Sequence, residues 1–407
     1  MYRKKNREKQ VEEVKISLED LVPQNHILRA IVFIQYLFGI RSMRQTIREI
    51  EVNVAYRWFI GYSLTEPVPD FSTFGKNYVR RFAATDIFER ILSEAEKSGY
   101  IDASAVFIDS THIKASDNKH KSKEVKVTKP IKQYQLELEE EINELRLADG
   151  KKKITPTEPE EVTKKVSTTD SDSGLFVKGE HERCFAYSAQ TACDRHGFVL
   201  EFEVGAGNLH AGQMFHRLSK KMDLSRTQIV AVDAGYKTPG VIREIFLSGK
   251  QPAVPYTRPK TKDGFFRKSE YVYDEYFDCY LCPKNQILKY TTTNREGYRE
   301  YKSDPRVCQN CSLSKNKTKV VIRHVWAKYL EEAERLRHVP LIRDTYKKRK
   351  ETIERVFAET KERHCLRYTN YRGLAKVKVQ VALIFSCLNL KKLAKRKLLN
   401  LIFFFCL

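Results

Sequence analysis

Two short apolar runs, each closed by an aspartate, constrain this chain more than any other feature. Ala105-Val106-Phe107-Ile108 leads into Asp109, and Ile229-Val230-Ala231-Val232 leads into Asp233. Such runs lack polar alternation and are too short for a helix, so they read as strands covered on both faces. Each delivers a carboxylate to the rim of a sheet. A third acid, Glu354, lies in a charged stretch with helical periodicity. Carboxylates gathered at one rim repel one another and need a cation, and hard oxygen donors suit magnesium or manganese. Taken singly, each is an ordinary acid at the end of a strand or helix; as a set in this order they point to a metal site.

Lysine and arginine total 74 against 52 aspartate and glutamate, a formal charge of +22 over 407 residues. A balance this basic favours a polyanionic partner, because cationic surfaces release counterions from phosphate backbones. Nucleic acid is expected over an acidic membrane. The charged start, Met1-Tyr2-Arg3-Lys4-Lys5, has no apolar segment behind it, and no internal run approaches the roughly 18 apolar residues of a membrane span. A cytoplasmic, nucleoid-associated protein is the expectation.

Along the chain, residues 1–98 read as a helical, basic domain with Arg41, Arg44, Arg48 and Arg57 on its helices, either tracking DNA or facing solvent. From there the pattern predicts a strand at 105–109, hairpin strands at 184–191 and 198–204 around Asp194-Arg195-His196-Gly197, a helix at 209–222, a strand at 228–233, a helix at 241–247 and a strand at 251–256. Three meander strands followed by alternating helix and strand fit a ribonuclease H-like mixed sheet. The fold class expected is therefore α/β, with an all-α N-terminal domain. Residues 99–116, 183–256 and 326–370 would form the catalytic domain. Two insertions interrupt it. Residues 117–182 run dense in lysine and then glutamate, a composition expected to be part helix and part disordered. Residues 257–325 carry the cysteines, and 371–407 form a C-terminal helix with a greasy tail.

Of nine cysteines, four form two pairs, Cys279 with Cys282 and Cys308 with Cys311, separated by 25 residues. Two C-x2-C knuckles satisfy tetrahedral zinc, and four thiolates make a closed, structural site. A zinc-ribbon-like insertion is the expectation.

Residues 326–367 read as one long helical run. Glu354 and Lys361 are seven residues apart, two turns, so they share a face. Such a pair lets the acid hold a metal while the base grips a phosphate strand. Glu351, Glu359 and Glu362 are competing acids nearby, and periodicity leaves Glu362 open.

Phe107-Ile108-Asp109-Ser110-Thr111-His112, Ala231-Val232-Asp233-Ala234-Gly235-Tyr236, Ile353-Glu354-Arg355-Val356-Phe357 with Lys361, and Arg372-Gly373-Leu374 together resemble bacterial insertion-sequence transposases of the DDE type. The resemblance extends to Arg41-Ser42-Met43-Arg44 and Asp70-Phe71-Ser72-Thr73-Phe74, and to the cysteine-bearing insertion. It implies that Asp109, Asp233 and Glu354 hold two magnesium ions for cleavage at the element's terminal inverted repeats and strand transfer into target DNA, by a homodimer or larger assembly. A nuclease that never joins strands and a catalytically silent DNA-binding descendant are the alternatives. The family's Tyr-x2-Arg-x3-Glu-x6-Lys signature implies DNA contacts at Lys361, Arg349, Lys350 and Tyr346. Here Tyr346 and Arg349 stand one residue early and Lys350 fills the arginine position. Arg44 and Lys114 are further implied DNA contacts.

Overall fold

The computed structural model describes residues 27–73, 86–118, 120–128, 134–179, 182–258, 261, 265–309, 311 and 318–406. In chain order they form α1 (Ile27–Leu37), α2 (Met43–Val52), α3 (Val54–Phe59), α4 (Ile87–Lys97), β1 (Ala105–Lys114), β2 (Ser122–Thr128), α5 (Gln135–Ala148), β3 (Glu161–Ser167), β4 (Gly174–Lys178), β5 (Glu182–Cys193), β6 (Val199–Ala206), α6 (Ala211–Ser219), β7 (Ile229–Val232), α7 (Pro239–Leu247) and β8 (Gln251–Ala253). Then follow β9 (Val272–Asp274), β10 (Cys279–Leu281), β11 (Ile287–Thr293), β12 (Tyr298–Ser303), α8 (Pro305–Cys308), β13 (Val320–His324), α9 (Ala327–Leu336), α10 (Pro340–Lys347), α11 (Ile353–Arg363) and α12 (Leu374–Cys406). The chain is mixed α/β. It divides into two compact units, one of Met1–Val125, Lys164–Thr227 and Lys347–Leu407, the other of Lys126–Thr163 and Gln228–Tyr346.

In the first unit β5 is the central strand. One edge pairs antiparallel with β1, with Asp109 opposite Thr191, and the other takes β4 and then β6. The β5–β6 turn is where its residues predict it. Gly197 takes a φ of 76°, a left-handed conformation that costs glycine little. Asp194 Oδ1 accepts from His196 N and Phe198 N at 2.9 and 2.7 Å, while Oδ2 accepts from Asp102 N at 2.8 Å. Three donors on one buried carboxylate lock the turn to the approach of β1, although burial still pushes its pKa up to about 6.

Helix α12 packs against β6, α1, α4 and α11. It is apolar around most of its middle, with Val377, Val381, Ile384, Phe385, Leu388 and Leu393 buried, so it is a core helix. Asn389, fully buried, accepts from Val199 N at 2.9 Å and donates to Val199 O at 2.8 Å. Asn389→Ala strands both groups and is expected to cost about 2 kcal/mol, read as a lower urea midpoint; an unchanged midpoint would mean that β6 starts without this clamp.

The basic N-terminal helices carry one surprise. Arg57 does not face solvent: it is buried and donates to the carbonyls of Glu51, Ser63 and Glu66 at 2.7–3.1 Å, fastening the turn after α3. The helix expected to follow Asp70 lies largely outside the described residues.

In the second unit β7 and β8 pair in parallel, joined by α7, with α9 packed on both α7 and β8. Strands β13-β12-β11-β10-β9 form a separate antiparallel sheet around Tyr271, Tyr280, Leu288, Tyr301 and Val321. The lysine- and glutamate-rich stretch is more ordered than its composition suggests. Leu138 and Ile142, one turn apart on α5, are buried against Trp326, whose Nε1 donates to Glu141 at 2.6 Å. The apolar partner lies far along the chain, so local composition could not reveal it. The run at 326–367 is not one helix: Pro340 opens α10, and Thr352 (φ −108°, ψ −92°) separates a 3-10 turn, Lys348–Glu351, from α11.

Candidate active site

Asp109 sits midway along β1, where the buried Ala105–Ile108 run gives way to half-buried positions. Its Oδ1 accepts from its neighbour Ser110 N at 2.7 Å. Its Oδ2 accepts from Arg349 Nη2 at 2.7 Å, a charge-assisted pair across 240 residues of sequence. The side chains are 21% and 6% exposed, so the charges face each other largely out of water.

Arg349 stands on the 3-10 turn that runs directly into α11. That helix buries Ile353, Val356, Phe357 and Thr360 and packs on β1, leaving Glu354 exposed in its first turn. An acid there is favoured by the free N–H groups and positive end of the helix. Two turns on, Lys361 is half-buried. Burial foremost, and then the charges of Arg367 and Lys178, lower its pKa, while Asp109 and Glu182 oppose the shift. Lys361 is therefore within electrostatic reach of Asp109. His112, further along β1, stacks on Phe176 with ring centroids 3.7 Å apart, and burial leads the causes that depress its pKa. Past it, Lys114 pairs with Glu182 at 3.3 Å, and its main chain is tied to the segment after α11 through Arg367 O and Thr369 N. An acid, a buried arginine and a depressed lysine thus share one strand–helix pair.

Two transposase models match this chain: a transposase DDE domain over residues 281–394 and a transposase domain of the DUF772 type over residues 26–80. Both matches support an insertion-sequence DDE transposase. No curated protein matches it. The DDE-domain match takes in Arg349, Glu354 and Lys361.

Asp233 ends β7 in the second unit and opens a 3-10 turn whose Tyr236 N donates to Asp233 O at 3.0 Å; Tyr236 itself is buried. Among the described residues, no three His, Cys, Asp or Glu side chains already stand as a metal-holding group. Arg349, one residue before the signature's arginine position and expected as a DNA contact, is ion-paired with Asp109. Lys350 is exposed, Tyr346 is half-buried, and Arg44 is exposed with its guanidinium 4.4 Å over the Phe71 ring. The sequence reading missed Lys178 and Glu182, the charges that set the surroundings of Lys361, because no spacing in the chain ties β4 and β5 to α11.

The paired cysteines are free thiols. Cys282, Cys308 and Cys311 line one cavity of about 60 Å³. Cys279 does not; it is buried within β10, opposite Lys289 and Asp274. Among the described residues no helix is long and apolar enough to cross a membrane.

Proposed function

We propose that this chain cuts DNA at the ends of a mobile element and joins the freed ends to target DNA, with Asp109, Asp233 and Glu354 as the metal-holding acids. The observation that carries the reading is the placement of Asp109 on a buried strand, ion-paired to the segment that leads into the helix bearing Glu354 and Lys361. The donor set fits a hard divalent cation. Asp109 is held largely out of water, where its carboxylate charge draws a cation strongly; Arg349 supplies one in this structure and a divalent metal would take up the same charge. When bound, magnesium or manganese would activate the attacking oxygen and neutralise charge on the leaving oxygen.

In the first step a water oxygen bonds to phosphorus, the bond from phosphorus to the 3′ oxygen of the element breaks, and that oxygen leaves as a 3′-hydroxyl. In the second, this hydroxyl attacks a target phosphodiester and displaces the target's own 3′ oxygen. No protein–DNA covalent bond forms. Asp109 is oriented by Ser110 N and Arg349. Lys361, with its ammonium partly desolvated beside other cations, grips a phosphate, and exposed Lys350 and Arg44 extend the contact. The active assembly on DNA is a dimer or larger.

The deciding experiment incubates purified protein, magnesium or manganese, and DNA carrying the ends that flank its gene. Joined products support the reading. Cleavage without joining would make the chain a nuclease, and metal-independent binding without cleavage a silent descendant. Lys361→Ala should weaken DNA binding about evenly across sequences and lower the slope of log affinity against log salt by about one. An unchanged slope would remove Lys361 from the interface.

A further inference from the structure

We propose that Cys282, Cys308 and Cys311 form a three-thiolate site for zinc, with Cys279 standing outside it. The three thiols line one small cavity walled by Phe266, Tyr271 and Leu288. Two are delivered by tight turns. Cys282 N donates to Gln286 O at 2.9 Å and Asn285 N to Cys282 O at 2.8 Å, and Asn285 takes a φ of 55° to close the turn. That turn aims two main-chain donors at one sulfur: Lys284 N and Gln286 N lie 3.3 and 3.4 Å from Cys282 Sγ. Two N–H groups directed at one sulfur hold it in place at the cavity wall. On the other side Cys311 N donates to Cys308 O at 3.2 Å, bringing the second pair to the same cavity.

Charge fits the assignment. Three thiolates on a divalent cation leave one net negative charge, and Lys284 and Lys319 also line the cavity. The fourth tetrahedral position falls to a donor other than cysteine. Cys279 is excluded by its place in β10, opposite Lys289 and Asp274 and away from the cavity wall. The three sulfurs do not yet stand as a metal-holding group among the described residues. A change of χ1 rotamer swings a cysteine sulfur by about 3 Å, a movement on the scale of this cavity. Zinc there would clip the end of β10 to the segment after β12, adding a cross-link to a sheet already joined by its ladders and its aromatic core.

The test uses the full chain, reduced, stripped with a chelator and reloaded with zinc or cobalt(II). We expect one metal per chain, a thiolate-to-cobalt charge-transfer band of three-thiolate intensity, and three thiols newly shielded from a thiol reagent. Cys279→Ser keeps the metal, whereas Cys282→Ser, Cys308→Ser and Cys311→Ser each reduce it from one per chain to none. If the single variants fail to fold, the thiol count on the unaltered chain decides. Three shielded thiols support the site; four would make Cys279 a ligand, and none would remove the site, either result overturning the proposal.

Discussion

Glu354→Gln is expected to abolish both cleaved and joined DNA products while leaving DNA binding intact. Glutamine keeps the shape of the side chain and its exposed place in the first turn of α11, so packing is undisturbed. What it loses is the negative charge that a catalytic cation needs. Metal stabilisation of the transition state is worth several kcal/mol, so the rate should fall by about a thousandfold or more. The neighbouring acids are the controls. Glu362 is ion-paired with Arg367 across the far end of the same helix, and Glu362→Gln should retain near-normal turnover. If Glu354→Gln turns over like the unaltered protein and Glu362→Gln does not, the third ligand has been misplaced by two turns.

Arg349→Gln tests the other half of the site. Removing one partner of a buried ion pair leaves the other charge uncompensated, at a cost of about 3 kcal/mol or more. With Arg349 at 6% and Asp109 at 21% exposure, the lower end of that range applies. The variant should unfold at a clearly lower urea concentration. Manganese should then recover more stability in the variant than in the unaltered protein, because a cation that binds only the folded state stabilises it by mass action. A lower midpoint with no manganese response would leave Arg349 a purely structural partner of Asp109. An unchanged midpoint would mean the pair contributes nothing.

What could be read from residues alone followed the range of the interaction. The β1 and β7 runs, the Asp194–Gly197 turn, the α7–β8 alternation and the seven-residue step from Glu354 to Lys361 all rest on patterns a few residues long. Each appears in the structure within a few positions of its expected place. The α/β class followed from them. The pairing of Arg349 with Asp109 was illegible, since nothing local in either segment refers to the other. Arg57 looked like a surface cation because its three carbonyl partners are set by how the chain turns after α3. The cysteines were legible as pairs, but a spacing rule treats all four alike. The strand pairing that sets Cys279 apart shows only in three dimensions.

The first unit is threaded: its sheet is made early, but α11 and α12 come from the last part of the described chain, after the second unit has been spelled out. At ribosomal speeds of roughly 5–20 residues per second, β1 waits on the order of tens of seconds for the helices that cover it. During that time β5 can pair with it, but the face that α11 covers stays open. A message broken between residues 347 and 353 would encode all of the second unit and none of the helix that carries Glu354. Partial products of this gene can therefore be folded in part yet lack Glu354, and the proposed cutting activity waits for α11.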